Sequence, residues 1–267
     1  MELFDSHAHY DDEKFNEDRD EVIEKIYNAD ITKFISAGYS LESSKKGIEL
    51  AEKYDYIYTT SGISPNDVKE SIEETQKDID ELKKIIIEYK RENKEKDKIV
   101  GIGEIGLDYY WNKENKEIQK YAFIEQIKLA NELNLPIAIH TREAVMDTLE
   151  ILKQNSVNKK GVFHCCPFNR ELVKEALKLG FYISIAGPVT FKNSKNAPEI
   201  IEMIPIDRML IETDSPYLAP EPVRGTRNDS RNVKYTAQKI AKLKGLTIEE
   251  VAEATYRNAE KLYNIEE

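Results

Sequence analysis

The sequence predicts a (β/α)8 barrel of the TIM type, followed by one C-terminal packing helix. Eight short apolar stretches recur between residues 2 and 213, charged segments with helical spacing separate them, and the 267-residue chain has no Pro/Gly-rich boundary. Strands that alternate with helices form parallel sheets, and eight such units over about 250 residues suit one barrel better than two domains. We therefore expect one domain over residues 1–267.

The eight predicted strands are nearly continuous apolar runs. In chain order they are ELFDS, TKFISAG, YIYTTSGI, KIVGIGEIG, PIAIH, GVFH, FYISIAG and RMLIET. Such runs are typical of parallel strands that are covered on both faces, as they are when helices surround a barrel.

The segments between the strands have helical periodicity. Apolar residues recur every three or four positions at Ile79, Leu82, Ile86 and Tyr89, as on one face of a helix. A second helix is predicted over EIQKYAFIEQIKLANELN, and its apolar side comprises Ile118, Tyr121, Ile124, Ile127 and Leu133. The final segment opens with Thr247 and Glu250, whose spacing is that of a capping box and predicts the packing helix.

Composition narrows the class of protein. The charged fraction is 33%, the hydrophobic fraction is 40% and the net charge is −11, which argues against a protein that coats nucleic acid through its general field. A protein with this net charge can still bind phosphates through a few local basic residues. No apolar run has the length of a membrane helix, and the first residues are acidic where a signal peptide needs basic and apolar ones. We expect a cytoplasmic protein without membrane contact and favour a monomer.

All four histidines of the chain fall at or just past the C-terminal end of a predicted strand. In a parallel barrel these ends share one face, where active sites are built. Each histidine alone is easily explained as a satisfied polar residue, but their coincidence on one face favours metal binding. His7 and His9 are two residues apart and therefore point the same way. With two carboxylates at further strand ends, the candidate ligands are His7, His9, Glu104, His140, His164 and Asp214.

This ligand set is large enough for two divalent ions. Imidazole suits Zn²⁺, Mn²⁺, Fe or Ni²⁺ better than Mg²⁺, and the identity of the ions stays open among these five metals. A carboxylate such as Glu104 can bridge two ions that together activate a water molecule. Asp214 is then a ligand, a general base for that water, or both, so Glu104 and Asp214 are the candidate catalytic residues.

Several motifs together carry a family resemblance. FDSHAH, GEIGLDYY, PIAIHTREA, FHC, ETDSPYLAPEPVRGTRN and NAEKLY occur in this order between residue 3 and about residue 263. The chain thereby resembles the TatD family of metal-dependent deoxyribonucleases, which are amidohydrolase-like barrel enzymes. The resemblance implies a TIM-type barrel, a two-metal hydrolase and cleavage of phosphodiester bonds in DNA, usually from a 3′ end. Our first hypothesis is a nuclease that acts on single-stranded or frayed DNA ends. It assigns His7, His9, Glu104 and Asp214 to one metal and Glu104, His140 and His164 to the other.

Four residues are candidate substrate contacts. Ser64, in GISPND, stands where the family often has the histidine of G-x-H-P, which helps to hold substrate or phosphate. Arg142, Arg224 and Arg227 are predicted to bind phosphate, because the planar guanidinium matches phosphate oxygens.

Two other function classes use residues of the same kind. A hydrolase of a small ester, lactone or amide, or of an aminoacyl-tRNA, would use the same barrel and metals, because fold does not determine substrate. The arginines and the motif set favour phosphodiesters, whereas the net charge of −11 and Ser64 count against a nucleic-acid substrate and leave the alternative open. A metal-binding protein without catalysis is disfavoured, because no ligand position is missing.

Overall fold

A computed structural model of the protein describes residues 1–94 and 96–265. Its eight strands form one sheet in which the strand order is the order along the chain. The strands are β1 (Leu3–Ala8), β2 (Ile31–Ala37), β3 (Ile57–Ser61), β4 (Ile99–Asp108), β5 (Ile137–Arg142), β6 (Gly161–Phe163), β7 (Tyr182–Ile185) and β8 (Met209–Ile211). The strand pairs β1–β2, β3–β4, β4–β5, β5–β6 and β7–β8 are parallel. Consecutive parallel strands joined by helices are the arrangement of a (β/α)8 barrel, which confirms the predicted fold class.

The α-helices alternate with these strands. They are α1 (Arg19–Tyr27), α2 (Leu41–Lys53), α3 (Ile72–Glu92), α4 (Lys116–Leu133), α5 (Val145–Gln154), α6 (Arg170–Lys178), α7 (Ala197–Met203), α8 (Val233–Lys244) and α9 (Ile248–Tyr263). Within residues 1–94 and 96–265, no helix is both long enough and apolar enough to cross a bilayer.

Internal packing divides the chain into two compact units. Met1–Ser36 with His164–Glu267 makes the first unit, and Ala37–Phe163 makes the second. The domain assignment of residues 1–267 as one catalytic domain stays a prediction.

In the first unit, the two ends of the sheet approach each other. Ala8, the last residue of β1, pairs with Ser215 in an isolated parallel bridge, and every residue of β1 is buried. The C-terminal helix α9 packs on β1 and β8. It begins with the predicted capping box, in which Thr247 and Glu250 each accept a backbone N–H of the other, so this prediction is confirmed.

In the second unit, α3 buries the predicted apolar stripe. Ile79, Leu82, Ile86 and Tyr89 are all buried, as their spacing indicates.

The apolar side predicted for α4 coincides only partly with its buried face, because Ile118, Tyr121, Ile124 and Leu133 are half-buried. Only Ile127 of the five predicted residues is buried, and the true face comprises Gln119, Ala122, Phe123, Gln126, Ile127, Leu129 and Ala130. Two glutamines can belong to the buried face because each forms a pair of hydrogen bonds with the backbone of one residue. Gln126 accepts the Ile63 N–H at 2.7 Å and donates to the Ile63 carbonyl at 2.9 Å. Gln119 does the same for Asp108, at 2.9 and 3.1 Å. Burying a side-chain amide costs little free energy when the amide forms hydrogen bonds with backbone groups. Polar residues on α4 therefore do not identify the face that is exposed to solvent.

Candidate metal centre

The end of β1 brings His7 and His9 together as their spacing predicts. Both side chains are buried, and their Nε2 atoms are 3.3 Å apart. The two rings meet edge to face with centroids 4.9 Å apart. Positions i and i+2 of a strand share a face, and here that face directs two imidazole nitrogens at one point.

Asp214 reaches the same point from the loop after β8. Its N–H donates to the His7 carbonyl at 2.9 Å, and the His9 N–H donates to the Ser215 carbonyl at 2.7 Å. These bonds align the loop with β1, so an Asp214 carboxylate oxygen lies 3.2 Å from Nε2 of His9 and 3.9 Å from Nε2 of His7. Burial alone would raise the pKa of Asp214, but the contact with His9 and the charges of His164 and His7 lower it to about 2. Asp214 is therefore a carboxylate at neutral pH.

Asp5, which was not among the predicted site residues, holds the segment that carries Asp214. This fully buried carboxylate accepts the Thr213 N–H at 2.9 Å and the hydroxyls of Thr213 and Ser230 at 2.5 Å each. Burial raises the pKa of Asp5 to about 7, against the opposing effect of these hydrogen bonds. The available signal is its position in FDSHAH, two residues before His7 and therefore on the same face of β1.

His164 also contacts this cluster. Its ring stacks on that of His7, with centroids 3.9 Å apart and planes inclined by 13°. Its Nδ1 lies 3.4 Å from Oε1 of Glu212, which is fully buried and accepts the Cys165 N–H at 2.5 Å. His7, His164 and Glu212 thus form a second group of close metal-type ligands beside His7, His9 and Asp214. Glu212 was also missed, because in RMLIETD its position before Asp214 marks it only as part of the strand end.

The second unit places Glu104 and His140 side by side. A Glu104 carboxylate oxygen lies 3.0 Å from Nδ1 of His140, and the other ring nitrogen, Nε2, lies 2.9 Å from Oδ2 of Asp108. A histidine held at one nitrogen by a carboxylate presents the other nitrogen in a defined orientation, which is the usual support of a metal-bound imidazole.

Asp108 is a further site residue that was not predicted. Burial would raise its pKa, but hydrogen bonds from His140 and from the backbone of Trp111 lower it to about 2. It lies four residues after Glu104 on β4, and so on the same face. That spacing is the signal that could have identified it.

The residues present fit divalent metal ions. Imidazole nitrogens and carboxylate oxygens are the donors that Zn²⁺ and related ions prefer. The ligand atoms of His7, His9 and Asp214 lie within 4.8 Å of one another. In addition, Oε2 of Glu212 is buried and accepts no hydrogen bond from any residue in the described part of the chain. A buried carboxylate oxygen without a donor is stabilised by a nearby cation.

The predicted phosphate contacts differ in their surroundings. Arg142 and Arg224 are exposed, and in residues 1–94 and 96–265 neither has an acidic side chain within 4.0 Å. The guanidinium of Arg142 lies 3.9 Å above the ring of Tyr110. That of Arg224 lies 4.1 Å above Phe191 and donates to the Ala219 carbonyl at 3.1 Å.

Arg227 and Ser64 are engaged within their own units. Arg227 forms a two-pronged ion pair with Asp18, at 2.8 and 2.6 Å, so a phosphate would have to displace this carboxylate. Ser64 is buried and donates to Asp67 at 2.6 Å while it accepts the Asn66 N–H at 3.2 Å. In this structure Ser64 shapes its own loop.

Comparison with known proteins identifies relatives over the whole chain. The family model described as TatD related DNase matches residues 4–264. The uncharacterized metal-dependent hydrolase YabD of Bacillus subtilis is 42% identical over 264 residues, which are 98% of this chain and 99% of that protein.

Solved structures agree on the fold. The TatD homologue YjjV of Escherichia coli superposes with a TM-score of 0.89 at 24% identity, covering 99% of this chain and 98% of that one. The phosphotriesterase homology protein of Escherichia coli, solved with phosphate in its active site, superposes with a TM-score of 0.70 at 13% identity, over 98% of each chain. With a family model matched from residue 4 to residue 264 and a 42% identical relative of the same length, this chain belongs to the TatD-related DNase family of metal-dependent hydrolases.

Proposed function

We propose that the protein hydrolyses phosphodiester bonds in DNA with two divalent metal ions, acting from the 3′ end of single-stranded or frayed strands. The observation that carries the proposal is the convergence of His7, His9 and Asp214, whose ligand atoms all lie within 4.8 Å of one another. Family membership supports a DNA substrate, and the exposed arginines Arg142 and Arg224 support binding of a phosphate chain.

In this proposal the ligand residues fall into two sets that share Glu104. His7, His9, Glu104 and Asp214 would hold one ion, and Glu104, His140 and His164 would hold the other. The second set is supported by the strands that carry it, because Glu104 lies in β4, His140 in β5 and His164 directly after β6. Bound ions of this kind polarise a phosphoryl oxygen and make water a better nucleophile.

The chain's own residues orient the substrate and move the proton. Asp214, ionised at neutral pH, accepts a proton from the attacking water. Asp108 orients the ring of His140 through the contact at Nε2, 2.9 Å long, and the Glu212 carboxylate lies 3.4 Å from Nδ1 of His164. Arg142 and Arg224 bind phosphate oxygens of the strand that enters. Residues 1–267 act as one catalytic domain, and the cytoplasmic location and monomeric state stay predictions.

The alternative is hydrolysis of a small ester, lactone or amide, or of an aminoacyl-tRNA. The net charge of −11 favours it, because an acidic protein repels a polyanion outside its local basic groups.

One set of assays separates the two. The protein is stripped with a chelator and refilled with Zn²⁺, Mn²⁺, Mg²⁺, Ni²⁺ or Fe²⁺ in turn, and each form is assayed on oligonucleotides labelled at the 3′ or the 5′ end and on a panel of small esters. We expect metal-dependent release of single nucleotides from the 3′ end and poor cleavage of circular single strands. Cleavage of the esters without any cleavage of DNA would establish the alternative.

Glu104→Ala tests the shared ligand. We expect loss of both metal and activity with an unchanged circular dichroism spectrum, because each ligand set loses a member. Glu150→Ala, an exposed carboxylate on α5 in the same unit, is the matched control and should change neither. Near-normal metal content in Glu104→Ala would exclude the bridging role.

A further inference from the structure

An exposed pair of aromatic rings follows β4. The side chains of Tyr110 and Trp111 are 44% and 69% exposed, and their rings meet edge to face with centroids 4.8 Å apart. Trp111 is the single tryptophan of the chain. Large aromatic side chains usually lie mostly buried, and an exposed cluster of them marks a binding surface.

The backbone that carries these rings is held in place. Oδ1 of Asp108 accepts the N–H groups of Tyr110 and Trp111 at 2.9 and 3.0 Å. Gln119, buried on α4, donates to the carbonyls of Asp108 and Asn112 at 3.1 and 2.9 Å. A surface that is ordered before binding loses less conformational entropy when a ligand arrives.

The same carboxylate connects the rings to a proposed metal ligand. While Oδ1 of Asp108 binds the aromatic segment, Oδ2 lies 2.9 Å from Nε2 of His140. One side chain therefore determines the position of the aromatic pair relative to His140.

Arg142 adds a positive charge to the aromatic pair. It lies at the end of β5, two residues after His140, and is paired in register with Asp108 of β4. Its guanidinium carbon is 3.9 Å from the ring centre of Tyr110 and 5.5 Å from that of Trp111. Stacking uses the face of the guanidinium, so its N–H edge can still donate to an anion. No acidic side chain lies within 4.0 Å of it in residues 1–94 and 96–265.

The geometry points to a nucleobase platform, defined by Tyr110, Trp111 and Arg142, which takes an unpaired base of a nucleic-acid strand next to His140. Aromatic rings that stack bases, interleaved with arginines that bind the backbone, are how proteins hold single strands without reading their sequence. The inference rests on the proposed function, because it assumes that the substrate of the metal site is a DNA strand with an unpaired terminal base. With a net charge of −11, binding of a strand depends on local contacts of this kind, because an acidic protein repels a polyanion outside its local basic groups.

Fluorescence of the single tryptophan reports on this platform alone. The metal-loaded protein is titrated with a phosphorothioate-linked single strand, which resists cleavage, and with the same strand lacking its 3′-terminal bases. We expect the complete strand to change the Trp111 emission and to bind more tightly than the abasic one. Unchanged emission at saturating complete strand, with binding verified by anisotropy of a labelled strand, would overturn the proposal.

Variants then separate base stacking from a structural role. By anisotropy, Trp111→Ala should bind the complete strand roughly 5- to 150-fold more weakly, the range expected for one stacked base, and bind the abasic strand like the wild type. Trp111→Phe should recover most of the loss. Met146→Ala, which removes another large side chain, 72% exposed in the same unit, is the matched control and should not change binding.

The outcomes distinguish the platform from the proposed function. If Trp111→Ala binds the complete strand like the wild type, or loses as much affinity for the abasic strand, the platform is wrong whether or not DNA is cleaved. If base-dependent binding through Trp111 is found but no metal form cleaves DNA, the platform stands and the nuclease function fails. Tight binding that leaves Trp111 unaffected places the strand elsewhere.

Discussion

Replacing Gly106 by alanine should damage both the stability of the protein and the position of His140. Gly106 lies in β4 with φ +139, a conformation that only glycine adopts readily. It pairs with His140 of β5, and a Cβ added to it would lie 2.0 Å from the His140 carbonyl oxygen and 3.0 Å from its carbonyl carbon.

Two costs add in this variant. The unfavourable backbone conformation costs roughly 1–3 kcal/mol for a residue with a side chain. Non-bonded carbon and oxygen atoms keep roughly 3–3.5 Å apart, so β5 must also move by at least about 1 Å. Such overpacking costs roughly 1–3 kcal/mol. We therefore expect the free energy of unfolding to fall by roughly 2–6 kcal/mol.

Urea denaturation of the chelated protein measures this loss, and Gly245→Ala supplies the control. Gly245 also has a positive φ, +67, but a Cβ there would have nothing within 4 Å, so only the conformational cost of about 1–2 kcal/mol applies. Gly106→Ala should lose more, and it should also bind less metal because His140 moves relative to Glu104 and Asp108. A loss no larger than that of Gly245→Ala, with normal metal content, would refute the crowding argument.

Three further predictions concern the site and its surroundings. Asp214→Asn should keep the fold and much of the bound metal but lose about 10²–10⁴ in kcat; a variant that keeps more than roughly a tenth of the wild-type kcat shows that Asp214 is not the base. Binding of single-stranded DNA should depend weakly on salt, with a slope of log affinity against log salt of about −1.5 to −2; a slope steeper than about −4 would reveal an extended basic track. Hydrogen bonds from Lys120 and Tyr109 lower the pKa of Asp147, so its stabilising effect is present above the unfolded-state pKa of about 4 and is lost as the pH falls through the lowered folded-state value. Asp147→Asn should therefore destabilise the protein by less than about 1 kcal/mol at neutral pH, since the carboxylate is partly exposed, and the difference from wild type in thermal unfolding should vanish in acid; a difference that persists there would contradict the assignment.

Local patterns in the sequence determined the fold class and the candidate ligands. The period of two in a strand places His7 and His9 on one face, and the order of strands and helices predicts the barrel that the structure has. Capping of α9 by Thr247 and Glu250 is equally local, since both partners lie within one turn. For His7 with His9 and for Thr247 with Glu250, the partners are neighbours in the chain, so residue spacing is sufficient information.

The supporting residues were decided only by the tertiary structure. Asp5 meets Ser230, 225 positions away, and Arg227 meets Asp18, 209 positions away, so no spacing rule connects them. From the sequence, Gln119 looks like a surface residue. Only the tertiary structure shows that it is buried and forms hydrogen bonds with the backbone of Asp108 at the end of β4. A polar side chain can lie on the surface in contact with water, or it can be buried where packing supplies a hydrogen-bonding partner. The partner decides between the two, because an unpaired polar group costs free energy only when it is buried. Periodicity in the sequence indicates which residues share a buried face. Strand register and helix packing determine which residues each of them contacts.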